Sequence, residues 1–277
     1  MDLNWLECLV IGLVSGFTDV LPVSSQAHKA IFLKLFGETG EPVLLRLAIH
    51  MAIFASLYFC CGNHLRRILR QLKLARVPKK KRKRPVDSKV IAEFKVLRVM
   101  IIPLILSLFL YRYTQDWNNR LNLTAVFLLL NGVILYLPSL LPTGNKDGLS
   151  MSILDSLLMG AGGAAAVLPG VSCVGATVSV ASACGAQRQF SLNLAYLGHL
   201  VLTVGLMLLD VIAIVEGNIV FSIPILICCL AAAAAAAVGT YFGVRVMRML
   251  AANIGFGVFP FYCFGAALFS FILFLMV

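Results

Sequence analysis

Apolar residues run along this chain in stretches of bilayer length, at about 43–62, 96–113, 122–141, 190–214, 219–242 and 256–277. Each approaches the roughly 20 helical residues that cross a hydrocarbon core. They predict six transmembrane helices. A seventh apolar run, about 151–168, leads straight into a proline. Two regions depart from the pattern of simple spans. Residues 4–36 hold apolar runs on both sides of Pro22, and residues 152–186 hold them on both sides of Pro169. Each region predicts a helix, a break at membrane depth, and a second short helix. Broken backbone at that depth is tolerated only where protein or a water-filled cavity surrounds it.

The two breaks share a phrase. Val20-Leu21-Pro22-Val23-Ser24-Ser25 stands near the start, and Val167-Leu168-Pro169-Gly170-Val171-Ser172 stands past the middle. Paired interruptions at corresponding places in two halves are the best sequence pointer to a binding site at the centre of a repeat-built membrane protein. Two prolines that merely kink two helices would account for the prolines but not for the repeated hydroxyls.

Composition agrees with a membrane solvent. The chain is 60% hydrophobic and 13% charged, with a mean hydropathy of +0.95. No soluble domain of 277 residues hides that much apolar surface in one core. The start, Met1-Asp2-Leu3-Asn4, lacks the basic flank of a cleavable signal peptide. The eight cysteines are scattered through apolar segments without metal-ligand spacing and read as small buried hydrophobes.

The net charge of +11 has one local source: eleven Lys and Arg residues, and no acid, between positions 66 and 84. A soluble protein would suggest nucleic acid here. In a membrane protein the run marks a cytoplasmic loop, 64–95, under the positive-inside rule, suited to anionic lipid headgroups. Counting spans from it places 38–42, 114–120 and Glu216-Gly217-Asn218 outside, and 143–150, Arg188, Arg245 and Arg248 inside. The first broken segment then enters and leaves from outside, the second from inside. The expected fold is an all-α polytopic membrane protein in one domain, 1–277. It is an inverted-topology repeat, 1–142 and 143–277, with two opposed re-entrant hairpins, about 4–36 and 152–186, and about six full transmembrane helices. Lys29 and Lys34 place positive charge on the outer side, where they can snorkel to phosphates.

Around the first break lie Ser15, Thr18, Asp19, Ser24, Ser25, Gln26 and His28. A helix restarting after Pro22 can be capped by Ser24 or Ser25, and its free amides attract anions; capping and anion binding are both open. An acid and an imidazole in this apolar context suggest a proton-handling pair or a polar gate. Around the second break lie Ser172, Thr177, Ser179 and Ser182, with no charged residue between Asp155 and Arg188. Phosphate bound there would meet amides and hydroxyls. Close helix packing is the alternative use of its small residues. Elsewhere, Arg46 and His50 stand one turn apart on one helix face and together offer positive charge to a site. His199, alone among leucines, reads as a packing residue, and Asp210 as a wet group near the outer end of its span.

These motifs resemble a known family, the bacterial undecaprenyl-diphosphate phosphatases of the bacitracin-resistance type. Ser15-Gly16-Phe17-Thr18-Asp19-Val20-Leu21-Pro22-Val23-Ser24-Ser25-Gln26-Ala27-His28 is similar to that family's E-G-x-T-E-F-L-P-V-S-S-T-G-H. Residues 169–177 resemble its P-G-x-S-R-S-G-A-T, and Phe190-Ser191 its later F-S-F element. The resemblance covers essentially the whole chain. It implies an inverted repeat with two re-entrant hairpins and a site facing outward from the bacterial cytoplasmic membrane. It also implies a polyprenyl diphosphate substrate, cut to the monophosphate that carries cell-wall sugars, often with a divalent cation such as Mg or Ca. Transport of a lipid phosphate has also been considered for the fold.

The departures bear on chemistry. Ser15 replaces the first family Glu, and Asp19 the second. Cys173 replaces the motif Arg, Val174 the following Ser, and His50 a Gln; a terminal Tyr-Arg element is Tyr262-Cys263. An Arg fork neutralises phosphate charge with bidentate geometry. By analogy with an arginine finger, such a clamp contributes about 10³–10⁵ in rate. Losing a carboxylate also removes a metal ligand or general base. The expected function is therefore polyprenyl (di)phosphate binding, with hydrolysis either retained or degenerate; the alternative is a non-hydrolytic transporter or flippase. If hydrolysis is retained, Ser25 or His28 is the reacting or proton-transferring group, and Asp19 the acid or metal ligand. Ser24, Ser172 and Thr177 are then phosphate donors, with Arg46 and His50 compensating for the lost charge. Expected partners are the polyprenyl lipid, anionic lipids at the basic loop and a second copy of the chain as a homodimer, with no nucleic acid.

Overall fold

The computed structural model describes residues 3–82, 84–142, 144–217, 222–253 and 256–276. Lys83 of the basic run, Thr143 at the predicted boundary between halves and Asn218 of a predicted outer turn lie outside the described residues. Among the described residues ten α-helices follow one another: α1 Trp5–Asp19, α2 Ser25–Leu35, α3 Val43–Arg76, α4 Ser88–Thr114, α5 Leu121–Tyr136, α6 Ile153–Ala164, α7 Cys173–Ala183, α8 Arg188–Glu216, α9 Ile223–Asn253 and α10 Phe259–Met276. Six stretches are long and apolar enough to cross a bilayer, formed by α3, α4, α5, α8, α9 and α10, with a short 3₁₀ turn extending α4 and α5. They match the six predicted spans. Large apolar side chains such as Phe59, Phe109, Val215 and Leu275 are open to the surroundings, as a lipid solvent favours.

The four remaining helices form two matched pairs. α1 begins at a capping box, in which Asn4 Oδ1 accepts from the Leu6 and Glu7 amides and Glu7 accepts from the Asn4 amide. α6 begins with the same device, built from Ser152 and Asp155. α2 and α7 restart the chain after each break, capped by the hydroxyls of Ser24 and Ser172, which accept from the Ala27 and Gly175 amides. α1 descends beside α9, with Gly12 and Gly16 so close to Ala232 and Ala236 that a Cβ at either would strike α9 backbone. α6 runs beside α4 in the same manner, Gly160 against Met100.

The breaks meet in the middle. A break leaves helix-end carbonyls and amides without partners, and hydrocarbon cannot supply them. Asn131 of α5, fully buried, fills both needs. Its Nδ2 donates to Pro22 O at 2.9 Å, and its Oδ1 accepts from the Ser172 amide at 3.0 Å. Ser172 Oγ donates to Leu21 O at 3.0 Å, and Tyr196 of α8 donates to Val20 O at 3.3 Å. Two backbone positions show how tight the crossing is. Ser24 holds φ at 65°, sparsely populated for a residue with a side chain. Gly170 holds φ at 116°, and a Cβ there would meet the backbone of α5.

One expectation changes. The basic segment 64–95 is mostly helix, since α3 continues to Arg76 and α4 begins at Ser88. Ile68 is buried in the core cluster and Leu65 and Leu72 pack against it, so an apolar stripe at helical spacing carries the helix beyond the spanning segment. Arg67 pairs with Asp87 at 2.8 Å across the remaining link and holds that carboxyl below its usual range.

Replacing Asn131 by Leu strands the Pro22 carbonyl and the Ser172 amide, each at about 1–3 kcal/mol. The expected result is a marked drop in the thermal midpoint of the detergent-purified protein, read by tryptophan fluorescence. An unchanged midpoint would show that the two breaks hold together without this side chain.

Candidate functional site

A cavity of about 50 Å³ lies where the two breaks cross. That is room for a small group of waters or a compact anion. Its walls come from Asp19 at the end of α1, Ser24 and Ser25 at the start of α2, and Ser172 and Cys173 at the start of α7. α3 contributes His50, α4 contributes Tyr111, and α8 contributes His199. Six of the residues singled out from sequence are therefore together: Asp19, Ser24, Ser25, His50, Ser172 and Cys173. Two helix N-termini also converge on the cavity, which gives it an excess of partial positive charge.

Gln26 lines it as well, whereas Ser15, Thr177, His28 and Arg46 do not. Ser15 is buried, and its hydroxyl donates to Ile11 O one turn back. Thr177 is buried with its hydroxyl facing Gly163 of α6. His28 is occupied on both ring nitrogens: Nδ1 donates to Ser24 O at 2.7 Å, and Nε2 accepts from the Tyr262 hydroxyl at 2.6 Å. The His28 and Tyr262 rings also stack with centroids 5.7 Å apart. Arg46 donates from Nε to Asp210 Oδ1 at 2.6 Å.

Two readings of α8 are corrected. His199 is a paired group, with Nε2 donating to Asp19 Oδ2 at 2.5 Å. Asp210 is fully buried and accepts from both Arg46 and His50, the latter at 2.7 Å. The physical reason is the same for both. An ionisable side chain between apolar helices is retained where a partner compensates for its desolvation, and the partners lie on α1 and α3. That rule is the signal that would have found them. The shared face of Arg46 and His50 is the face that meets Asp210.

Two imidazoles therefore reach the cavity wall, His199 held by Asp19 within the wall and His50 held by Asp210 behind it. Each carboxylate fixes which ring nitrogen carries the proton. Lys29 also lines the cavity, tied to Glu41 at 2.8 Å. Asp19 is the one carboxylate among the wall residues. No group of three His, Cys, Asp or Glu side chains able to hold a metal ion occurs among the described residues.

A second cavity, of about 310 Å³, lies against Pro22 and Gly175 and shares no wall residue with the first. Ser179, Ser182 and the exposed Arg188 contribute its polar wall.

The profile of the family described as bacitracin resistance protein BacA matches residues 8–269. An undecaprenyl-diphosphatase of Methanobrevibacter smithii is 25% identical over 266 residues, covering 93% of each chain. One from Methanococcus maripaludis is 26% identical over 265 residues, covering 95% of this chain and 98% of its own. One from Bacteroides thetaiotaomicron is 29% identical over 227 residues, covering 81% of this chain and 82% of its own. The chain belongs to the bacitracin resistance protein BacA family, and it is a multi-pass membrane protein.

Asp210→Leu leaves the Arg46 guanidinium without its buried counter-ion. Breaking such a pair costs about 3–5 kcal/mol. Thermal unfolding in detergent should show it as a large fall in midpoint, relieved in part by the double replacement Asp210→Leu with Arg46→Leu. Equal midpoints for the single variant and the parent would contradict the assignment.

Proposed function

We propose that this chain hydrolyses a polyprenyl diphosphate to the monophosphate and phosphate. The diphosphate would sit in the cavity at the crossing of the two breaks. The observation that carries the reading is the convergence on one cavity of two serine-capped helix starts and two imidazoles, each held by a carboxylate. Amides and hydroxyls at Ser24, Ser25 and the start of α7 would hold phosphate oxygens. His50 and His199 would supply the charge and protons that an arginine at position 173 would otherwise help supply. An oriented imidazole contributes about 10²–10⁴ in rate, against about 10³–10⁵ for a lost guanidinium. Slower but measurable turnover follows. No step is routed through a metal ion.

In this reading the two helix pairs are re-entrant hairpins of an inverted repeat, and the small cavity faces outward from the cytoplasmic membrane. The basic segment then faces the cytoplasm and its anionic lipids. Lipid-carrier recycling for cell-wall synthesis is the corresponding role, and the relatives are named as undecaprenyl-diphosphatases. His28, held by Ser24 and Tyr262, would position the start of α2 in place of exchanging protons. A homodimer remains a proposal that no contact in the structure bears on.

A second reading, non-hydrolytic movement of the lipid phosphate, draws on the larger cavity. Polar groups including Arg188 line it, against Pro22 of the same crossing, as alternating access to one site would need. Proteoliposomes separate the two. Hydrolysis predicts phosphate release; transport predicts lipid-phosphate movement without it.

Phosphate release from farnesyl diphosphate by the detergent-purified protein should fall by about 10²-fold or more in His199→Ala. His50→Ala should show a similar loss with a well-folded protein. Turnover independent of both imidazoles would refute the proposal, as would no phosphate release at all.

A further inference from the structure

The first residue of α7 is Cys173, at the position where the resemblance implies an arginine. It was read from sequence as a loss. Its surroundings give it another use. Cys173 is buried and lines the small cavity. Cys173 and His199 stand on the wall of the same cavity of about 50 Å³, with no hydrogen bond between them. His199 is 5% exposed, lines the same cavity, and has its Nε2 committed to Asp19. Its Nδ1 is buried and has no hydrogen-bond partner among the described residues.

An imidazole that donates from one nitrogen to a carboxylate is left with a lone pair on the other. That lone pair is the acceptor a thiol needs to become a nucleophile. A nucleophile, a base beside it and a third group orienting the base is the arrangement that activates Ser, Cys and Thr in covalent catalysis. The position adds to it, since the free amides of a helix start can hold the oxygens of a phosphate under attack. Two competing hydroxyls are engaged, which leaves Ser25 on the same wall as the rival nucleophile. Ser172 Oγ donates to Leu21 O and accepts from the Gly175 amide, and Ser24 Oγ accepts from the Ala27 amide. His28 has no free nitrogen to serve as base.

The geometry points to Cys173 as a covalent nucleophile, with His199 as its base and Asp19 as the group that orients the base. This inference rests on the phosphatase reading of the same cavity. His199 Nδ1 takes the thiol proton, and Sγ attacks the terminal phosphorus of the diphosphate. The Sγ–P bond forms as the bridging P–O bond breaks. The polyprenyl monophosphate leaves with the bridging oxygen and takes the proton from His199. A water molecule then gives a proton to Nδ1 and attacks the phosphocysteine. The Sγ–P bond breaks, inorganic phosphate leaves, and the proton on His199 returns to sulfur. Atoms and charge balance with water as the only co-reactant. The cysteine replaces the arginine's position without its charge, and its role differs in kind.

The test uses farnesyl diphosphate labelled with ³²P on its terminal phosphate. The full-length protein in detergent is quenched in neutral SDS during turnover, and labelled peptides are mapped by mass spectrometry. The expected result is label on Cys173, absent from Cys173→Ala. Phosphate release should fall by about 10²-fold or more in Cys173→Ala. Cys173→Ser, which keeps the volume, should lose most of its activity with an unchanged thermal midpoint, so that a folding defect is recognised. Label on Ser25, or Cys173→Ala turnover within about threefold of the parent, overturns the covalent role and leaves the phosphatase reading standing. A parent protein that releases no phosphate overturns both.

Discussion

The fold depends on a constraint of solvent: a helix broken inside hydrocarbon must find every hydrogen-bond partner within the protein. This chain breaks twice, at residues 20–24 and 168–172. It solves both breaks with one set of partners. Asn131 bridges the Pro22 carbonyl and the Ser172 amide, and the Ser172 hydroxyl reaches back to Leu21. Satisfying the two breaks is thus the same event as bringing them together. Once they are together, the starts of α2 and α7 have to face a common space. The cavity follows from satisfying the backbone, and its hydroxyl-rich wall follows from the serines that cap those helices.

The charged groups around that space come from elsewhere in the chain. α8 carries His199 and Asp210, three turns apart on one face. The first meets the end of α1, and the second meets α3. One spanning helix therefore fixes two imidazoles at the cavity wall. The family motif places an arginine and a glutamate at the tips themselves. Here Cys173 and Ser15 hold those positions, and Ser15 is tied into its own helix. Imidazoles reach the cavity from spanning helices, while those two motif positions carry no charged side chain.

Much of this architecture is legible in the sequence because bilayer length and proline breaks are local signals. The six spans, both breaks and the serine caps come from short windows. The meeting of Asp19, Ser24, Ser25, Ser172 and Cys173 also follows from the repeated phrase. Long-range partners do not. Nothing near Asp210 says that Arg46 and His50 will face it, and nothing near His199 names Asp19. His28 misleads for the opposite reason. Its position in the motif suggests a proton-transferring group, while Tyr262, 234 residues away, occupies its free nitrogen. The extension of α3 through the basic run was hidden because charge density outweighed the Leu65, Ile68 and Leu72 stripe.

The central claim is that the crossing of the two breaks is where the diphosphate binds. An experimental structure of the full chain with a non-hydrolysable methylene-bisphosphonate analogue of a polyprenyl diphosphate tests it most directly. The account predicts the bisphosphonate in the small cavity, within hydrogen-bonding reach of Ser25, His50 and His199, with its lipid tail leaving between helices. A bisphosphonate seated in the larger cavity beside Ser179, Ser182 and Arg188, with the small cavity empty, would contradict it.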